Sequence, residues 1–130
     1  MRTVFEAKSA EGEIFFFKGR ELPALLCAYT RAIPSGVVRD YNIDGNGEDF
    51  VCFSLLRDAR AKDSPVLSLE KSQNRVGRVS YKLYSRASGA LKVYEDSFIK
   101  LTAKLEKELK SLKRQADKKI VRPKFGSPRP

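Results

Sequence analysis

The chain has no histidine at any of its 130 positions. The commonest general base and the commonest zinc ligand are therefore both missing, which excludes Ser-His-Asp triads and most metal-hydrolase sites. Cysteine is scarce: Cys27 and Cys52 stand in apolar surroundings on different predicted elements, with no CxxC pair. They read as reduced, small core residues rather than a disulfide or a reactive thiol. No apolar run approaches the roughly 20 residues of a membrane-spanning helix; the longest candidate, 13–33, is punctuated. The N-terminus lacks the basic-then-apolar order of a secretory signal, so the expectation is a soluble protein of the cytoplasm or another intracellular compartment, not secreted and with no membrane partner. There is no Walker loop, no dinucleotide fingerprint and no internal repeat, and no cofactor is implied.

What the chain does have is charge sorted along its length. Residues 1–70 carry nine Lys/Arg against eleven Asp/Glu, and the remaining 60 carry seventeen against five, which separates −2 from +12 and sums to the +10 of the whole chain. A basic half joined to a near-neutral half implies a polyanionic partner. Between Lys71 and Tyr94 six basic residues occur with no acid, interleaved with Tyr81, Tyr84 and Tyr94. That mixture suits stacking on bases as well as pairing with phosphates.

The length fits one domain with its own core. Segments 2–8 and 13–18 flank a Ser-Ala-Glu-Gly turn and predict a first hairpin. Over 21–33, Leu22, Leu25, Leu26, Tyr29 and Ile33 fall at helical spacing, with Pro23 in the first turn and Pro34-Ser35-Gly36 as a stop. A second hairpin is expected from 37–44 and 49–58, a further strand around 66–69, and a third hairpin from 75–86 and 90–94. From 95 to 118 there is neither glycine nor proline, and Phe98, Leu101, Leu105, Leu109, Leu112 and Ala116 recur at a helical period. The expected fold is α+β: a mostly antiparallel sheet of five to seven strands, with a short helix and a long C-terminal amphipathic helix packed on one face. Residues 1–118 form the domain, and 119–130, rich in proline and basic residues, read as a disordered tail.

Three groups of residues invite a functional reading. Alternation along 75–86 places Val79, Tyr81 and Leu83 on one face and Arg78, Ser80, Lys82, Tyr84 and Arg86 on the other. Continuing the pattern gives Leu91 and Val93 to the apolar side and Lys92 and Tyr94 to the basic side. The second group is the outer stripe of the long helix, where Lys100, Lys107, Lys110, Arg114 and Lys118 cluster opposite the leucines. The third, Asp40-Tyr-Asn42-Ile-Asp44-Gly45, matches the first half of a calcium loop. Its second half fails, because Gly47 and Val51 stand where an apolar residue and a bidentate glutamate are needed, and hairpin chemistry explains it better.

Residues 75–112, a basic strand, a turn, a short strand and an amphipathic helix, resemble the order found in the positive cofactor four family of single-stranded DNA binders. The junction Gly89-Ala-Leu91-Lys-Val93-Tyr-Glu95-Asp-Ser-Phe98-Ile-Lys-Leu101 carries the likeness, and the sheet-then-helix halves of Whirly- and Pur-type proteins are similar in the same way. It covers under a third of the chain, and the helix at 21–33 departs from the family. The resulting expectation is a non-catalytic protein that holds single-stranded DNA or RNA on a basic, tyrosine-bearing sheet face. Arg78, Lys82, Tyr84, Arg86, Lys92 and Tyr94 would bind, with Lys107 and Arg114 attracting from the helix, and an exposed sheet invites homo-oligomerisation. The rivals are a structural or interaction subunit of a nucleoprotein or virion assembly anchored by its basic tail, and a metal-dependent enzyme using Asp40, Asp44 and Glu48.

Overall fold

In the computed structural model the described residues are 14–58 and 64–121, with side chains to Gln115. The first half of the expected N-terminal hairpin lies outside them. Residues 14–18 form neither helix nor strand, and are tied to the domain by the Phe15 amide donating to the Gly47 carbonyl.

Helix α1 spans Glu21–Ala32 and closes through a 3-10 turn at Ile33–Ser35, where Pro34 and the positive φ of Gly36 stop it. Its buried stripe is Leu25, Ala28 and Ala32, shifted from the expected one by two small residues that allow close approach. Ile33 falls into the 3-10 turn and is exposed. Cys27 projects about 200° around the helix from Leu25 and is exposed, so it is not the core residue the sequence suggested. Both cysteines are free.

Strands β1 (Asp40–Gly45), β2 (Phe50–Leu56), β3 (Leu67–Gln73), β4 (Val79–Ser85) and β5 (Lys92–Glu95) pair antiparallel in sequence order as a single meander. The β1–β2 connection is a side-chain-supported turn: the Asn46 Oδ1 accepts from the amides of Glu48, Asp49 and Phe50, and Gly47 takes a positive φ. The half-matched calcium loop is therefore a hairpin. Residues 75–78, expected to begin a long strand, form the β3–β4 turn, in which the Asn74 Oδ1 accepts from the Val76 and Arg78 amides.

Helix α2 runs Phe98–Val121, so its last three residues lie within the segment read as tail. Ser97 caps its start by accepting from the Lys100 amide. Both helices lie on one face of the sheet. Val51, Phe53, Leu55, Leu67, Leu69 and Leu83 from that face meet Leu25 and Ala28 of α1 and Leu101, Leu105, Leu109 and Leu112 of α2 in one core. Tyr29 docks α1 edge-on against Tyr41, whose ring stacks on Phe53. The architecture is α+β, and among the described residues no helix is long and apolar enough to cross a membrane.

Candidate nucleic-acid interface

Opposed residues of an antiparallel pair share a face, so register fixes where each candidate side chain stands. On the helix-free side of β4 lie Ser80, Lys82 and Tyr84, with Arg86 continuing the alternation beyond the strand. Lys92 and Tyr94 do not join them. Lys92 is opposite Ser85 and Tyr94 opposite Leu83, so both are on the helix-bearing face, and Val93 and Glu95 take the places beside Tyr84 and Lys82. The opposed positions sum to an odd number, and odd and even residues exchange faces between the two strands. Tyr94 instead packs against the core with the Lys104 ammonium 4.5 Å from its ring centroid.

The helix-free face is not uniformly basic either. One cross-strand row reads Asp44, Cys52, Glu70, Lys82, Glu95, so Lys82 lies between two carboxylates. The next reads Asn42, Ser54, Ser68, Tyr84, Val93 and is neutral; its Ser54 and Ser68 hydroxyls are 2.9 Å apart. Burial, and then the nearby Glu70 carboxylate, push the Tyr84 phenol up to about 12. Arg78 sits in the exposed β3–β4 turn, eight residues and roughly 26 Å of strand from Arg86. The helix-free face thus keeps Tyr84, Arg86 and a compensated Lys82 of the six sheet residues expected there.

The uncompensated charge is on α2. Its two described acids are turned inward or sideways: the Arg31 guanidinium of α1 donates to Glu106, and the Ser85 hydroxyl donates to Glu108 at 2.5 Å. Lys100, Lys107, Lys110 and Arg114 are exposed on the opposite side, and none forms an ion pair among the described residues. They cover about 21 Å of helix. Lys104 on the flank and Lys92 on the edge strand β5 carry the charge toward Arg86, because Lys92 is opposite Ser85, the residue before Arg86.

Two concavities border this surface. Between α1 and α2, a groove of about 450 Å³ is lined by Ala28, Ala32, Pro34 and Leu109 with Arg31, Lys110 and Lys113 at its sides. On the helix-free face, a hollow of about 230 Å³ is lined by Cys52, Pro65, Ser68, Tyr84, Arg86 and Leu91. Sequence reasoning found Tyr84 and Arg86 but not the other four. Pro65 and Leu91 lie outside the strands, and only pairing brings them beside Tyr84.

A third cluster resembles catalytic machinery and is structural. The Lys71 ammonium, nearly buried, donates to the Phe16 carbonyl at 2.8 Å and to the Glu21 carboxylate at 2.9 Å, and the Tyr81 hydroxyl donates to the same carboxylate. Burial would raise the Glu21 carboxyl, but the bonds from Tyr81, Lys71 and the Lys18 amide hold it below its ordinary value. The Tyr81 phenol is pushed up, first by burial and then by Glu21, which is the wrong direction for a base. Each partner's polar atoms are turned on the others, and the cluster pins the start of α1 to β3 and β4.

The chain matches no family model, no curated protein and no solved structure.

Proposed function

We propose that the protein binds nucleic acid without catalysing its chemistry, contacting phosphates through the outer face of α2, with single-stranded DNA or RNA as the preferred partner. One observation carries this reading: α2 directs both described acids onto the protein body and leaves Lys100, Lys107, Lys110 and Arg114 as a stripe of one sign. An isolated solvated helix gains from mixed i,i+4 pairs; a one-sign stripe gains from a polyanion, whose counterions are released on contact. Lys104 and Lys92 extend the stripe around β5 toward Tyr84 and Arg86, so base-contacting residues would lie at the end of a cationic path. Arg78 stands apart from it, and Tyr94 supports Lys104 rather than a base.

The test is fluorescence anisotropy with labelled single-stranded DNA, duplex DNA and RNA of equal length at two salt concentrations. Binding at low salt that weakens steeply at high salt, with single strands held more tightly than duplex, is expected. No binding to any of the three at low salt contradicts the reading.

The groove between α1 and α2 favours a second reading, a subunit that docks a protein partner. Its apolar floor beside Lys110 and Lys113 suits an acidic amphipathic segment, which can cover carbon as well as neutralise charge. Binding of such a peptide in place of all three oligonucleotides is the outcome that would select it.

A further inference from the structure

The hollow on the helix-free face has a chemistry distinct from the cationic stripe. At about 230 Å³ it falls below the roughly 300–1,000 Å³ of pockets that enclose drug-sized ligands, which restricts it to one planar ring system. Tyr84, Leu91 and Pro65 supply apolar surface, the Ser68 hydroxyl and the Cys52 thiol supply small neutral polar atoms, and Arg86 supplies the one charge in its lining. Burial pushes the Cys52 thiol up to about 11, so at neutral pH it is neither a nucleophile nor an anion.

A ring that meets apolar walls, neutral donors and acceptors, and a single guanidinium must itself be flat, uncharged and joined to an anion. An unpaired nucleobase with its phosphate has that composition. We propose that this hollow is a subsite for one unpaired base, with Tyr84 as the contact surface for the ring and Arg86 as the phosphate partner. The inference rests on the nucleic-acid reading above and adds to it the source of preference for single strands, since a paired base is not free to leave its stack.

The position of the hollow agrees with the charge. Arg86 follows Ser85, whose hydroxyl holds Glu108 of α2, and Lys92 lies opposite Ser85 on edge strand β5. A strand that reaches the hollow from α2 passes Lys104, Lys92 and Leu91 in turn, crossing the sheet at an edge where no further strand blocks it among the described residues.

The test compares a labelled single-stranded oligonucleotide with an abasic strand of the same length and phosphate number, for the full chain and for Tyr84→Leu and Arg86→Gln, each checked for an unchanged thermal melt. The base-bearing strand is expected to bind the unaltered protein roughly 5- to 160-fold more tightly than the abasic one, the range that one stacked base supplies. Tyr84→Leu should reduce that ratio toward one while leaving abasic binding unchanged, and Arg86→Gln should weaken both strands. If Tyr84→Leu alters the melt, quenching of a 2-aminopurine base in the strand by the unaltered protein reads the same contact. Equal binding of base-bearing and abasic strands, or no quenching, overturns the subsite and leaves the phosphate surface on α2 standing. Failure to bind either strand at low salt overturns both.

Discussion

Lys71 shows how a single buried cation can be built into a fold without serving its chemistry. Its ammonium has a carbonyl, a carboxylate and the Phe15 ring, 5.3 Å away, as partners. Removing one member of a buried pair costs about 3–5 kcal/mol because the other charge is left unmatched, so Lys71→Met should be destabilising by that amount in chemical denaturation. Lys71→Met combined with Glu21→Gln should recover part of the loss; no recovery would mean that the ammonium acts mainly through the Phe16 carbonyl. The same carboxyl carries a pH signature. Its folded value lies below the ordinary 4.5, so its contribution is complete above 4.5 and is lost as the pH falls through the lowered folded value. Thermal melts from neutral pH downward should therefore show the unaltered protein losing Tm below about pH 4.5 more steeply than Glu21→Gln, which has no proton to take up. Parallel curves would contradict the lowered value.

At the scale of elements, α2 was the most legible part of the sequence and β5 the least. Leu101, Leu105, Leu109 and Leu112 repeat within one uninterrupted segment, so the period alone fixes which side is buried, and all four are buried. Leu105→Ala and Leu109→Ala should each destabilise by about 2–5 kcal/mol, whereas Lys107→Ala, across the helix, should stay within about 0.5 kcal/mol. Equal losses at the three positions in urea unfolding would mean that the helix does not pack by its leucine side. The face of β5 could not be read in this way, because the six residues between Ser85 and Lys92 separate two strands whose register is set by pairing rather than by chain position. That is why Tyr94 and Lys92 were assigned to the wrong side. The acids beside Lys82 were hidden for a related reason: within 71–94 there is none, but β3 brings Glu70 and the far end of β5 brings Glu95. Alternation within β4 was reliable, and it placed Tyr84 and Tyr81 on opposite faces as the structure has them. The stripe on α1 was only partly legible: Leu25 is buried and Leu22, Leu26 and Tyr29 pack against the core, but Ala28 and Ala32 are its other buried residues and Ile33 is exposed.

For the whole molecule, the sorting of charge along the chain becomes a sorting in space. The sheet face without helices balances acids against Lys82 and presents a hollow with a single guanidinium, while among the described residues the outer side of α2 holds cations with no acid between them. On the proposed reading, helix and edge strand attract the backbone and the hollow takes a base. Its central claim is that phosphates are neutralised by Lys100, Lys107, Lys110 and Arg114. The direct measurement is the slope of log affinity against log salt for a single-stranded oligonucleotide, taken for the unaltered protein and for a variant with all four changed to Gln. Each lost phosphate contact should remove about 0.7 from the slope for a single strand, so the variant is expected to be shallower by up to about 3 with its fold intact. A slope that does not change would place the phosphates elsewhere and contradict the account.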